Sequence, residues 1–153
     1  RELAVKAIKT IGGPGIFGVE MFLMQDDGLL INEIAPRTHN SGHFSIDAAK
    51  TSQFEQQARI LSGQTLLSTQ QTAPAVMINI LGKLGYEGET VVESLEQVEK
   101  LAGANFHFYG KRDCFASRKM GHATITAGTI DEAIKLAEEV QSSLVVRGAN
   151  KSG

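Results

Sequence analysis

The 153-residue sequence has one cysteine, no long apolar run and little net charge, and each absence excludes a class of protein. The single thiol, Cys114, can form no internal disulfide and, without further cysteines, no cysteine-based zinc site, which fits a reducing cytosolic setting. No stretch approaches the roughly 18 consecutive apolar residues that a membrane helix requires. With 15 basic and 17 acidic residues, the net charge of −2 favours neither nucleic acid nor a membrane surface as a partner. Any anion site must therefore be local.

The chain also lacks an initiator methionine, because it opens at Arg1 and continues directly into a helical pattern over residues 2–11. We therefore expect it to be the C-terminal part of something longer. Its 42% hydrophobic content suits one ordinary domain or two small ones. The polar stretch 62–74 is typical of a connection between two lobes.

Two apolar runs, FGVEMFLM and LLINEIA, flank the acidic turn QDDG and predict a β-hairpin. If residues 25–28 form the loop, Met24 pairs with Leu29 and Glu20 lies opposite Glu33. A two-residue turn would leave these glutamates as diagonal neighbours on one face, whereas a three-residue loop would separate them onto opposite faces. The first two registers bring the carboxylates together.

Two glutamates facing each other within apolar strands need neutralisation. A divalent cation, a buried proton or a basic partner would each suffice, and oxygen ligands near phosphate favour Mg²⁺. The alternative is that both side chains point to solvent on an open sheet face.

A polar loop follows the second strand. It contains Arg37, His39, Asn40, Ser41 and His43, at the position where binding residues usually collect. Arginine offers a planar fork to a carboxylate, bicarbonate or phosphate, and His, Asn and Ser add further donors. The alternative is a hydrogen-bonded turn before a helix, which we predict over residues 45–61 with Ser45 as its N-cap.

The second half predicts a buried strand at 75–82, a helix at 93–103, strands in NFHFYG and GHATITAG, and an amphipathic helix at 131–144 capped near Thr129 or Asp131. Between the last two strands lies a local basic cluster of Lys111, Arg112, Arg118 and Lys119. This cluster could bind a phosphate monoester or could form a solvated basic loop.

These stretches together resemble the 5-(carboxyamino)imidazole ribonucleotide synthase family of ATP-grasp enzymes in purine biosynthesis. The matching segments occur in the family's order and cover most of residues 1–127: GIFGVEMF, NEIAPRTHNSGH, TSQFEQQARIL, AVMINILG, HFYGK and SRKMGH. The resemblance implies an α+β fold: the C-terminal part of an ATP-grasp domain over residues 1–72, a small β-rich C-terminal domain over 73–148 and a frayed tail at 149–153.

The implied reaction uses ATP, with Mg²⁺, to carboxylate 5-aminoimidazole ribonucleotide with bicarbonate through carboxyphosphate. By motif position, Glu20 and Glu33 would hold Mg²⁺, with Asn32 alongside Glu33 at the nucleotide. Arg37 and His39 would orient bicarbonate as catalytic residues, and Asn40 and Ser41 would shape the pocket. The ribonucleotide phosphate would be bound by Lys111, Arg118 and Lys119. A cytoplasmic homodimer of the full-length enzyme is also implied.

Two departures from the pattern concern Ala35, where many ATP-grasp enzymes have asparagine at the second metal, and Thr38, where proline is frequent. Since the nucleotide-binding lysines of such an enzyme precede this region, we expect the chain alone not to turn over ATP. Alternatives are the related formate-dependent glycinamide ribonucleotide transformylase, whose loop typically reads SEVSPRPHDTG, and a non-catalytic binding or assembly module.

Overall fold

The computed structural model describes residues 1–151, and the chain divides into two compact units, Arg1–Gln70 and the part from Gln71 onward. The domain boundary that we expected from the sequence, between residues 72 and 73, remains a prediction. Within residues 1–151, no helix combines the length and the hydrophobicity of a membrane-spanning segment.

The first unit contains three helices and one hairpin. Helix α1 spans Glu2–Ile11 and ends at Gly12, whose φ of 77° continues no right-handed helix. The antiparallel strands β1, Gly18–Leu23, and β2, Leu29–Ala35, form the predicted hairpin. Loop residues Asn40–Gly42 form a single 3-10 turn, followed by helices α2, Ser45–Ala48, and α3, Gln53–Leu61.

The single helix predicted over residues 45–61 is wrong, because it is interrupted between Ala48 and Gln53. Ser52 restarts the helix as an N-cap whose side chain accepts a hydrogen bond from the Glu55 N–H. Ser45 is not the N-cap that we expected. It lies inside α2, where its hydroxyl donates to the Gly42 carbonyl and accepts from the Gln53 N–H. The interruption turns α3 back toward the polar loop.

The described part of the second unit contains two three-stranded antiparallel sheets together with two helices. One has the order β3-β7-β5, from Ala75–Leu81, Lys119–Thr126 and Ala104–Phe108. The other has the order β6-β4-β8, from Asp113–Cys114, Tyr86–Glu93 and Val145–Lys151. Strands β6 and β7 belong to different sheets, so the segment joining them, 115–118, connects the two.

Helix α5, Ile130–Ser143, packs on the first of these sheets and begins with a capping box between Thr129 and Glu132. Ala137 and Val140, three positions apart on one face of this helix, join a core with residues of the strands and of the short helix that ends at Val98. The buried members of this core are Ile80, Val98, Cys114, Met120, Ala123, Ile125, Ala137, Val140 and Val146. The core includes three residues of β7, the strand that begins at Lys119 of the basic cluster.

Three expectations in the second unit need correction. The helix predicted over 93–103 reduces to α4, Leu95–Val98, because Glu93 still pairs with Val145 in the β4–β8 ladder. Strand β4 was not foreseen at all. The prediction of a frayed tail from residue 149 is wrong for residues 149–151, because they form the end of β8. Residues 152 and 153 lie outside the described part of the chain.

Candidate functional site

The hairpin places Glu20 directly opposite Glu33, as the sequence predicts, but by a different route. The closing pair is Leu23 with Leu29 rather than Met24 with Leu29, so the loop has five residues. An irregularity between Glu20 and Met21 then adds one residue to β2, because Glu33 pairs with Glu20 and Ile31 with Met21. The bulge compensates for the odd loop and returns the two glutamates to register.

Polar atoms from three segments converge at this pair. Single ligand atoms of Glu20, Glu33 and His39 all lie within 4.8 Å of one another. The Asn32 amide donates to Glu20 Oε2 at 3.3 Å. Both carboxylates are solvent-exposed, so the apolar surroundings that we expected for them are absent. Within residues 1–151, neither has an ion pair with a lysine or arginine.

The hydrogen bonds of His39 identify its tautomer. Its Nδ1 accepts from the Ser41 N–H at 3.4 Å and lies 2.9 Å from the Ser41 hydroxyl oxygen. A backbone N–H can only donate, so the ring proton of the neutral imidazole is on Nε2. That nitrogen lies 3.4 Å from Glu20 Oε1. In this tautomer His39 presents an N–H donor to Glu20.

Strand β1 leaves space for the His39 ring at Gly18, which has no side chain. A Cβ at Gly18 would lie 2.6 Å from both Cβ and Cγ of His39, which is closer than atoms pack. Gly18 stands two residues before Glu20, so the imidazole lies over the strand beside the carboxylate that it contacts.

The other predicted loop residues have separate roles in the structure. Arg37 is exposed, and its guanidinium donates to the Thr38 carbonyl at 3.1 Å. Asn40 starts the 3-10 turn and accepts from the His43 N–H through its carbonyl. Within residues 1–151, no hydrogen bond or ion pair joins either side chain to the two glutamates. Arg37 thus retains most of its donors for an anion.

The donor set of the hairpin fits Mg²⁺. Two oxygens bound to one Mg²⁺ at about 2.0–2.1 Å can be at most about 4.2 Å apart. The carboxylate oxygens lie within 4.8 Å of each other, so a small side-chain rotation would bring both onto one ion. The ligands are oxygens on an exposed surface, where water can complete an octahedron.

The basic cluster of the second unit surrounds the loop between β6 and β7. The Lys111 ammonium donates to the Lys119 carbonyl at 2.6 Å and lies 5.6 Å from the centre of the Tyr109 ring. The Arg118 guanidinium donates to the Asp113 carbonyl at 2.6 Å and lies 4.9 Å from the centre of the Phe115 ring. Both cations are thus held by neutral groups, which leaves their charge available to an anion.

Two neighbouring groups of this cluster have raised pKa values. Burial raises the pKa of the Cys114 thiol, with Arg118 opposing the change. Burial also raises the pKa of Tyr109, whose hydroxyl lies 3.0 Å from Nδ1 of His122. Cys114 and Tyr109, which lie beside the basic side chains, therefore remain neutral near pH 7.

The other two residues of the basic cluster, Arg112 and Lys119, lie at the surface.

Sequence reasoning overlooked three residues that shape these sites: Gly18, Gln53 and Tyr109. Gly18 and Gln53 both contact His39, from which they are 21 and 14 positions away in the sequence. No local sequence pattern indicates contacts over such separations. Tyr109 could have been considered, because it stands two residues before Lys111 in HFYGK.

Comparison with known proteins agrees with both units. The family model for the ATP-grasp domain matches residues 1–54, and that for the phosphoribosylaminoimidazole carboxylase C-terminal domain matches residues 75–136. The N5-carboxyaminoimidazole ribonucleotide synthetase of Thermotoga maritima superposes with a TM-score of 0.90 at 43% identity, over 97% of this chain. The chain belongs to the N5-carboxyaminoimidazole ribonucleotide synthase family. The predicted family and the predicted α+β fold class are confirmed.

Two further relatives are similar to most of this chain. The phosphoribosylaminoimidazole carboxylase of Schizosaccharomyces pombe is 44% identical over 139 residues, or 86% of this chain. The N5-carboxyaminoimidazole synthase of Aspergillus clavatus, solved in complex with ADP and 5-aminoimidazole ribonucleotide, has a TM-score of 0.81 at 35% identity over 92% of this chain. The chain spans 25% of the Schizosaccharomyces protein, 41% of the Thermotoga chain and 38% of the Aspergillus chain.

Proposed function

We propose that this chain supplies the metal-binding, bicarbonate-orienting and phosphate-binding residues for ATP-dependent carboxylation of 5-aminoimidazole ribonucleotide. The observation that supports this most strongly is the register of Glu20 and Glu33, with the His39 N–H directed at Glu20. A surface strand pair has no structural need for two facing carboxylates and an imidazole donor, whereas phosphoryl transfer needs both a metal clamp and an oriented acceptor.

The reaction consists of two transfers. A bicarbonate oxygen attacks the γ-phosphorus of ATP, and the bond to the β–γ bridging oxygen breaks, which gives carboxyphosphate and ADP. The exocyclic amine of the ribonucleotide then attacks the carboxyl carbon, the carbon–oxygen bond to phosphate breaks, and the amine loses a proton. The product is an N-carboxylated aminoimidazole ribonucleotide, with ADP and phosphate released.

Glu20 and Glu33 are the proposed ligands of Mg²⁺. The Asn32 amide donates to Glu20 and would lie beside the bound nucleotide. When bound, Mg²⁺ supplies positive charge that offsets the charge of the transferring phosphoryl group. Arg37 would hold two oxygens of bicarbonate with its fork, and the Nε2–H of His39 would donate to the oxyanion that develops. Asn40 begins the 3-10 turn of the loop, and Ser41 holds the His39 ring in this tautomer. Both residues would thereby shape the pocket.

In the second unit, Lys111 and Arg118 are the proposed ligands of the ribonucleotide phosphate, with Lys119 adding charge beside them. A forked guanidinium and a point-charge ammonium together suit the three oxygens of a phosphate monoester. The neighbouring neutral Tyr109 and Cys114 add no competing negative charge near pH 7. The ribonucleotide is proposed as a ligand by similarity to the Aspergillus complex, and ATP because that complex holds ADP, which the proposed reaction forms from ATP. The homodimer and the cytoplasmic location stay predictions.

The test uses a hybrid in which this chain replaces the matched 41% of the Thermotoga maritima synthetase. We expect ADP release that requires bicarbonate and 5-aminoimidazole ribonucleotide together. Formate-dependent release with glycinamide ribonucleotide would instead favour the transformylase. No release by a folded hybrid that still binds Mg-ATP would favour a binding or assembly module and would contradict the proposal.

A further inference from the structure

Helix α3 presents three glutamines, and each holds the backbone of a different segment. Gln56 donates to the Leu67 carbonyl at 2.6 Å and accepts from the Leu67 N–H at 3.2 Å. Gln57 accepts from the Ile16 N–H at 3.3 Å. Gln53 makes the corresponding reciprocal pair with His39, where Oε1 accepts from the N–H at 2.9 Å and Nε2 donates to the carbonyl at 2.7 Å. One side chain therefore satisfies both backbone groups of His39.

The orientation of the Gln53 amide follows from these partners. A flipped amide would set its N–H₂ against the His39 N–H and its oxygen against the His39 carbonyl, so both bonds would be lost. The same Nε2 lies 2.7 Å from Nδ1 of His43, which makes that ring nitrogen an acceptor. A Cβ on Gly42 would lie 2.6 Å from Gln53 Oε1, so the loop leaves room for the amide at this point.

These contacts leave His39 little freedom. Gln53 holds its backbone, Gly18 admits its ring against β1, and Ser41 fixes the proton on Nε2, which faces Glu20. Ser41 and Gly18 act on the ring, and the Gly42 N–H also donates to the His39 carbonyl at 2.9 Å. Gln53 adds the bonds that tie the main chain of His39 to helix α3. A displacement of about 1 Å in a reacting group can lower a rate by about 10²-fold.

We propose that Gln53 is a positioning residue that holds His39, through its backbone, where the Nε2–H reaches Glu20. This inference rests on the proposed function, and Gln53 itself contacts none of the reacting groups. A glutamate at position 53 keeps the acceptor but sets an oxygen against the His39 carbonyl, so it should release the loop with almost no change of volume.

The first experiment tests the positioning without using activity. In the ¹⁵N-labelled full chain, the ¹⁵N shifts of the His39 ring should show one tautomer with the proton on Nε2. We expect Gln53→Glu and Gln53→Met to shift these resonances toward a mixture of tautomers. The matched control is Gln56→Met, which removes the same kind of backbone clamp from Leu67 and should leave the His39 ring unchanged. Unchanged His39 resonances in a folded Gln53 variant would overturn the proposal.

The second experiment separates positioning from folding in the Thermotoga hybrid. We expect Gln53→Glu and Gln53→Met to lower kcat by about 10- to 100-fold, with the KM for ATP within about 2-fold. Gln56→Met should change kcat by no more than about 2-fold, even if it lowers the melting temperature equally. Equal losses of kcat in the Gln53 and Gln56 variants would mean a structural role only and would overturn the proposal.

The two arms also separate this inference from the proposed function. If His39→Ala leaves carboxylation by the hybrid unchanged, the role proposed for His39 fails, whereas the NMR result still decides whether Gln53 holds His39. Should Gln53→Met not fold, Gln53→Glu, which retains one of the backbone bonds, provides the same comparison.

Discussion

Glu20 and Glu33 are direct cross-strand partners although a five-residue loop joins their strands, because a bulge at Asn32 restores the register. An unbulged strand would set Asn32 opposite Glu20 and would turn Glu33 to the other face. The bulge thus creates the pair of carboxylates and leaves the Asn32 amide free to donate to Glu20. Bulges are frequent next to functional sites for this reason.

Replacing Glu33 with Gln should weaken divalent-cation binding. The change keeps the shape of the side chain but removes one of the two anionic ligands, so we expect at least a 10-fold rise in the Kd for Mn²⁺, measured by electron paramagnetic resonance with the full chain. Glu87→Gln, on an exposed position of β4, is the matched control and should leave the Kd unchanged. Equal affinities in both variants would show that Glu33 is not a ligand.

The Gly18→Ala substitution should displace His39. The added methyl would overlap Cβ and Cγ of the histidine, and such overpacking costs about 1–3 kcal/mol or forces the side chain to move. We expect a lower melting temperature and a kcat at least 10-fold lower in the Thermotoga hybrid. Gly15→Ala, whose Cβ would lie 3.3 Å from the Phe17 ring, is the control. Wild-type kcat in the Gly18 variant would show that the His39 ring need not lie against β1.

Removing the charge of Lys111 should weaken phosphate-monoester binding. We expect Lys111→Met to raise the Kd for 5-aminoimidazole ribonucleotide by about 10- to 150-fold, since a charge-assisted hydrogen bond contributes about 1.5–3 kcal/mol. Lys83→Met is a close control, because Lys83 lies 5.7 Å from the centre of the Tyr86 ring, as Lys111 lies 5.6 Å from that of Tyr109. The prediction fails if titration calorimetry gives both variants the same affinity.

The stability of the chain should fall at alkaline pH in part through Cys114. Burial raises the pKa of its thiol, so the folded state keeps this proton at pH values where the unfolded state has lost it. The stability is therefore full below the unfolded pKa of the thiol and declines as the pH rises through the folded pKa. Tyr109 contributes in the same direction.

The measurement compares urea unfolding of wild type and Cys114→Ala at pH 7.5 and pH 10. The variant should be less stable at both values because it leaves a cavity in the core, but its free energy of unfolding should decline less with pH. A decline of the same size in both proteins would assign the alkaline sensitivity to other groups.

Much of the first unit could be predicted because its signals are local. Helix α1, the hairpin and the facing glutamates follow from periodicity and turn residues. We predicted the register from a four-residue loop. The structure has the same pairing of Glu20 with Glu33, but the loop is one residue longer and a bulge of one residue compensates for it. Bulges depend on strand twist and packing, and nothing in LLINEIA indicates one.

The interruption of the helix predicted over 45–61 was missed because Ile46, Ala49 and Phe54 retain helical spacing across it. The tertiary contacts of Ser45 and Gln53 override that periodicity. In the second unit, β4 and β8 pair across more than fifty residues, and the GYEGETVVE segment has glycines that obscure its alternation. Long-range pairing of this kind determines which of several weak local preferences prevails.

The central claim is tested most directly by following ¹³C-bicarbonate into product with the Thermotoga hybrid and its Glu33→Gln variant. The account predicts one carboxylated ribonucleotide per ADP in the hybrid, with Glu87→Gln equal to it and Glu33→Gln slower by at least about 10²-fold, as is typical for loss of a group that stabilises transition-state charge. Carboxylation at the wild-type rate by the Glu33→Gln hybrid would contradict the account.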